Sequence, residues 1–166
     1  MILSDSTIRD LGIVTPCVPA EKFRGKSFGL SHAGYDVRAD LEAPRDDWYN
    51  YGHVMTPDGD GILLRPGQSI LLGVLEMITM PDDVVGYARD KSTWARQGVL
   101  TAQAVLEPGW IGHPSLLMVN HGSEDATIVH GEPIAQLVFH QMDRAPERVY
   151  GGKYQNQGRG PQGPRC

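Results

Sequence analysis

Residues 62–88 read ILLRPGQSILLGVLEMITMPDDVVGYA, and this stretch decides the fold class. Two apolar runs, 62–66 and 69–80, are split by Pro66-Gly67. That pair turns a chain because proline presets φ and glycine tolerates positive values. Pro81-Asp82-Asp83 ends the second run, and Val84–Ala88 begins a third. Downstream, Val99–Leu106, Ser115–Val119, Ala126–Val129 and Ile134–Gln141 follow, separated by turn residues such as HGSED and Gly131-Glu132-Pro133. Strands spaced about 8–12 residues apart with turns between them predict an all-β sandwich or barrel.

Composition agrees. The chain holds 20 glycines and 12 prolines in 166 residues, about 19 %, too many for a helical bundle and too few for a low-complexity chain. Helical turns are expected in two places only. Ser4 can cap a start whose Ile8 and Leu11 share a face and which Gly12 ends. The segment 90–98, DKSTWARQG, reads as one or two turns, with Asp90 or Ser92 as cap and Gly98 as stop. Residues 40–61 are acidic, aromatic and turn-rich, and read as a surface excursion or hairpin insertion.

The length fits one domain, taken as 1–157, with 158–166 a flexible tail. No run approaches the roughly 18 apolar residues of a membrane span, and the acidic N-terminus lacks a secretory pattern. Cys17 and Cys166 are too few for a disulfide framework or a thiolate zinc site. A cytoplasmic protein is the expectation. The net charge of −5 argues against a nucleic-acid polymer as partner. That charge is uneven: residues 151–166 carry Lys153, Arg159 and Arg165 and no acid. Such a tail is either a frayed terminus or a mobile basic flap that closes over an anion.

Two segments can carry chemistry. Lys91, Ser92 and Arg96 flank the unpaired backbone N–H groups of a helix start, which suits a phosphate or simply a capped surface helix. Glu107-Pro108-Gly109-Trp110 holds one carboxylate beside one large aromatic in a tight turn. The carboxylate either caps an amide or orients a water, and the indole can wall a sugar or base. The six histidines show no metal-ligand spacing, and no nucleophile elbow or P-loop is present.

Taken in order, MILSDSTIRD, AGYDVRAD (33–40), DKSTWARQG (90–98), VLEPGWIG (105–112), GEPIAQLVF (131–139) and YGGKYQNQ (150–157) resemble the dCTP deaminase / dUTPase superfamily, the deaminase branch more closely. The resemblance spans Met1 to about Gln157. It implies a distorted jelly-roll β-barrel with one or two short helices. It also implies a homotrimer with interface active sites, and a deoxyribonucleoside triphosphate whose phosphates carry Mg²⁺. By motif, Lys91, Ser92, Arg96 and Gln136 match phosphate-side positions. Tyr150, Lys153, Tyr154 and Gln157 match the segment that closes over the phosphates. Trp110 matches the ring against the deoxyribose, and Glu107 the acid near the sugar and the attacking water.

One departure directs the functional expectation. Deaminases of this superfamily carry a proton-shuttling glutamate where this chain has Leu117. Leucine cannot exchange a proton, and losing a general acid/base costs about 10²–10⁴ in rate. The expectation is therefore hydrolysis of a pyrimidine dNTP to the monophosphate and pyrophosphate, with Glu107 and Arg96 as catalytic residues. Deamination of dCTP and non-catalytic dNTP binding are the alternatives.

Overall fold

The computed structural model describes residues 1–43 and 52–165. In chain order the strands are β1 (Val14–Thr15), β2 (Glu21–Phe23), β3 (Lys26–Ser31), β4 (Gly34–Asp40), β5 (Gly52–Thr56), β6 (Gly59–Leu64), β7 (Ser69–Val74) and β8 (Met77–Thr79). They continue as β9 (Val84–Asp90), β10 (Val99–Thr101), β11 (Val105–Leu106), β12 (Ile111–Gly112), β13 (Ser115–Asn120), β14 (Ala126–Val129) and β15 (Pro133–Gln141). Two short helices, α1 (Asp5–Asp10) and α2 (Ser92–Ala95), complete the described residues.

The main sheet runs β10-β13-β7-β4-β15-β9-β11, with β3 on β4 and β2 on β3. Strand β4 organises it. One edge pairs with β15, while the other serves β3 at Tyr35 and then β7 at Ala39. An edge shared between two partners forces a bend, and the sheet curls. Smaller sheets, β1-β8-β12 and β14-β6-β5, accompany it. The fold is an all-β distorted jelly-roll barrel, as expected. Among the described residues no helix is long and apolar enough to cross a membrane.

Period-2 burial builds the core. Leu116 and Met118 of β13 and Leu137 and Phe139 of β15 are buried, each worth roughly 1.5–3 kcal/mol against exposure. On β4, Tyr35, Val37 and Ala39 face this core, all at 0 % exposure. Burial pushes the Tyr35 phenol up to about 12. It donates to Pro16 O (2.9 Å) and accepts from Val18 N (3.3 Å), tying the loop after β1 to the core.

The other face of β4 carries Asp36, Arg38 and Asp40, each in an ion pair. Lys91 Nζ lies 2.9 Å from Asp36, Arg38 Nε 2.8 Å from Glu76, and Arg159 Nε 2.9 Å from Asp40. One of these pairs explains a difference from the strand pattern. The run 69–80 is two strands, because Glu76 leaves the ladder to accept from Arg38 N and Nε inside the protein. Val99–Leu106 is likewise split into β10 and β11. β2–β4 carry no apolar run long enough to announce them, and Asp36 sits inside β4. The N-terminal helix matches, with Ser4 Oγ accepting from Thr7 N. Lys91, not Asp90 or Ser92, is the N-cap residue of α2, without a side-chain cap. Asp90 instead accepts from Thr101 N at 2.7 Å. Of the 40–61 excursion, 52–56 and 59–64 form a hairpin, while 44–51 lie outside the described residues.

Burial raises the Glu76 carboxyl above the ordinary glutamate range, and the Arg38 hydrogen bonds pull it partly back. Glu76→Ala strands the Arg38 guanidinium and lowers stability by about 3–5 kcal/mol in urea titrations. The pH dependence has a definite sign. The folded chain holds this proton more tightly than the unfolded one, so its contribution is present at low pH and lost as pH rises through the folded value. As pH rises from about 4 through the folded value, Glu76→Gln therefore gains stability relative to the wild type, read as a pH-dependent difference in urea midpoint.

Candidate active site

The turn between β11 and β12 builds the site. Trp110 N donates to Glu107 O at 3.1 Å, and Gly109 takes φ 76°, a value that favours glycine. The turn puts Trp110 inward, at 6 % exposure, and leaves Glu107 outward. The Glu107 carboxylate has no hydrogen-bond or ion-pair partner among the described residues, so it caps nothing. Beside it opens a cavity of 290 Å³, lined by Glu107, Trp110, Tyr150, Tyr154 and Gln157 from the expected set. Leu71, Ser115 and Gln162 also line it and were not singled out in the sequence.

The C-terminal segment is seated on this turn rather than free of it. Tyr150 N donates to Pro108 O (2.8 Å), and Trp110 Nε1 donates to Tyr154 O (2.8 Å). Gln155 grips the same turn, donating to Gly109 O and accepting from Ile111 N. Gln157 is buried, and its Nε2 donates to His113 O (2.9 Å) and Ser115 Oγ (2.7 Å). Lys153 remains exposed, donating to Arg165 O and lying 5.4 Å over the Tyr154 ring.

Seating continues past Gln157, where a flexible tail was expected. Arg159 grips the buried Asp40 carboxylate with Nε and Nη2 at 2.9 and 3.0 Å. Gly160 packs on Gly73 so closely that a Cβ on Gly73 would lie 2.8 Å from the Gly160 backbone. Gln162 N then donates to Ser115 Oγ at 3.1 Å. Composition alone marks this segment as loose, because its anchors are single long-range contacts to β4, β7 and β13.

The remaining expected residues form a second group. Lys91 is 7 % exposed, and its ammonium is committed to Asp36. Ser92 and Arg96 are exposed, and Arg96 lines a separate 410 Å³ cavity with Glu124 and Asp125. Gln136 donates to Ser31 Oγ at 2.8 Å. Among the described residues, none of these four lines the Glu107 cavity, and no hydrogen bond or ion pair joins the two groups. Leu117 is half-buried on β13, directly opposite the cavity-lining Leu71. The position thus borders the cavity with an apolar pair. Among the described residues no three His, Cys, Asp or Glu side chains converge on a metal site. One free carboxylate nevertheless fits Mg²⁺, which commonly keeps water and phosphate ligands.

This β-barrel is the fold of dUTPases and dCTP deaminases. The 2′-deoxycytidine 5′-triphosphate deaminase from Agrobacterium tumefaciens superimposes with a TM-score of 0.63 at 17 % identity, over 84 % of this chain and 48 % of that one. A dUTPase from phage phi11 of S. aureus, described with a structural Mg(II) ion, gives 0.53 at 12 % identity over 84 % and 95 %. The model of the dCTP deaminase-like family matches residues 2–142, and the chain belongs to that family. A dCTP deaminase of Pyrococcus horikoshii is 32 % identical over 93 % of this chain and 92 % of its own.

Asp40→Ala releases the Arg159 fork. Limited proteolysis should then cut within 158–165 at least about tenfold faster than in the wild type, with the barrel itself left uncut.

Proposed function

We propose that this chain hydrolyses a pyrimidine deoxyribonucleoside triphosphate between its α- and β-phosphates, giving the monophosphate and pyrophosphate. The observation that carries this reading is Glu107: a carboxylate with no partner among the described residues, at the mouth of a cavity walled by Trp110. A carboxylate held by nothing else is available to accept from a water and aim its oxygen at the α-phosphorus. The water oxygen bonds to that phosphorus, and the bond to the bridging oxygen breaks. The bridging oxygen leaves with pyrophosphate, and the water proton passes through Glu107 to solvent. Mg²⁺ carried on the substrate phosphates would offset their charge. Ser92, Arg96 and Gln136 add hydrogen bonds and positive charge to the phosphates, while Lys91, bound to Asp36, holds the start of α2 in place.

The two groups of residues lie apart in one chain. In this reading they meet across the interface of a homotrimer, where one copy supplies Glu107 and Trp110 and a neighbour supplies Ser92, Arg96 and Gln136. Tyr150, Tyr154 and Lys153 cover the bound nucleotide and exclude bulk water. The curated relatives favour a second reading, deamination of dCTP. It requires an acid at the cytosine amino group, and the Leu71–Leu117 pair offers none.

Purified protein with Mg²⁺ and single dNTPs, assayed for pyrophosphate and ammonia together, separates the two readings. Pyrophosphate release that falls about 10²-fold or more in Glu107→Gln supports hydrolysis. Ammonia release from dCTP by the wild type overturns it. Leu117→Glu should gain ammonia release if the rest of a deaminase site is intact.

A further inference from the structure

Helix α2 has only four residues, Ser92–Ala95, and no side-chain cap. A helix that short is not stable by itself, so its position is set by the contacts that hold it. The i, i+4 spacing puts Ser92 and Arg96 on one exposed face. Trp94 turns the other way, into the core, at 2 % exposure.

Two contacts fasten α2 to the sheet. At its start, Lys91 pairs with Asp36 of β4. In its middle, Trp94 Nε1 donates to Pro133 O at 2.8 Å. Pro133 begins β15, and Gln136, three residues on, lies opposite Asp36 in the ladder. The helix is therefore tied to the strand that carries Gln136 and to the strand beside it. The β15–β4 register shifts between Pro133 and Ala135, which re-aims the residues that follow. Side chains take up both carbonyls at that shift: Trp94 donates to Pro133 O, and Thr101 Oγ1 donates to Ile134 O at 3.1 Å.

The Trp94 contact has a third member. Lys26 Nζ stands 4.4 Å from the Trp94 ring centroid and donates to Glu132 Oε1 at 2.7 Å. Glu132 is fully buried and adjoins Pro133. One stretch of chain thus holds the indole twice, on its face through Lys26 and on its edge through the Pro133 carbonyl. Arg24 Nη1 donates to the other Glu132 oxygen at 2.7 Å, so the carboxylate has a second cation. The place over the ring belongs to Lys26.

We infer that Lys26 is a positioning residue: acting through Trp94, it fixes α2 against β15 and so sets the spacing between Ser92, Arg96 and Gln136. This rests on the assignment of those three residues to the phosphates, proposed above, and it holds for either reaction. Lys26 is not itself a phosphate ligand in this reading, because its ammonium is committed to a carboxylate and a ring and its side chain is only 11 % exposed. A cation over an indole attracts most strongly when both are desolvated. Small misplacements of binding groups are costly, so losing Lys26 loosens the phosphate site without removing a ligand from it.

The test uses the full chain and measures kcat and KM for each dNTP that the wild type turns over, with Kd for tripolyphosphate in Mg²⁺ by calorimetry. Lys26→Met should raise KM and the tripolyphosphate Kd together, about tenfold, with kcat changed by less than about twofold. Lys26→Arg, which keeps a cation over the ring, should retain the wild-type values. Trp94→Phe keeps a ring but loses the N–H to Pro133. It should move the same two constants in the same direction, and it carries the test if Lys26→Met does not fold. A fall in kcat or in folded fraction with KM and Kd unchanged marks a purely structural role and overturns the inference. Ser92→Ala and Arg96→Ala separate it from the reading beneath it. If these weaken tripolyphosphate binding while Lys26→Met and Trp94→Phe do not, the inference falls and the phosphate assignment stands. If they leave binding unchanged, or the wild type binds no tripolyphosphate, the assignment falls and the inference with it. Where the wild type binds tripolyphosphate but turns over no dNTP, Kd alone decides.

Discussion

The charged face of β4 is the constraint on which the rest of the molecule depends. Residues 35–40, YDVRAD, alternate strictly, so Tyr35, Val37 and Ala39 enter the core and Asp36, Arg38 and Asp40 point the other way. That other face is covered as well, and buried charges must be paired or they cost several kcal/mol. Three partners come from three distant places: Lys91 at the start of α2, Glu76 at the corner between β7 and β8, and Arg159 in the C-terminal strap. Such pairs contribute little net stability over apolar residues of the same shape. Their effect is geometric, because only one arrangement of the chain satisfies all three.

Each pair positions something the site uses. The Asp36–Lys91 pair holds the start of α2, and with it Ser92 and Arg96. It also removes Lys91 from the free cations, although its motif suggests a phosphate ligand. The Arg38–Glu76 pair breaks an apolar run that would otherwise continue as one strand. That break lets β8 leave the main sheet and join β1 and β12, next to the Glu107 turn. The Asp40–Arg159 fork brings the strap across Gly73 to the cavity wall. A single strand thus links the start of α2, the Glu107 turn and the C-terminal segment that lines the cavity.

The legible parts of the fold were those with local causes. Pro66-Gly67, Pro81-Asp82-Asp83 and Gly131-Glu132-Pro133 mark turns because their backbone preferences act within a few residues. Strands such as β13 and β15 are readable because an apolar alternation is printed along them. β2 to β4 were not, since GLSHAGYDVRAD mixes glycine and charge, and those charges become intelligible only beside their partners. The same holds at the site. Glu107 and Trp110 belong to one turn and were readable together. Ser115 and Gln162 were not, because a serine in a strand and a glutamine in a glycine-rich tail carry no local signal.

Residue order and type were sufficient for an all-β barrel, a capped N-terminal helix, and an acid beside an aromatic ring. These follow from backbone preference, periodicity and the chemistry of single side chains, which act at short range. The tertiary structure decided which charges are free. Lys91 is neutralised by Asp36, 55 positions away, while Glu107 is left without a partner among the described residues. It also decided that the glycine-rich C-terminus is a wall of the cavity. Long-range pairing has no signature in a local stretch of sequence, because loop closure lets almost any two segments meet and only the buried charges of β4 select which ones do.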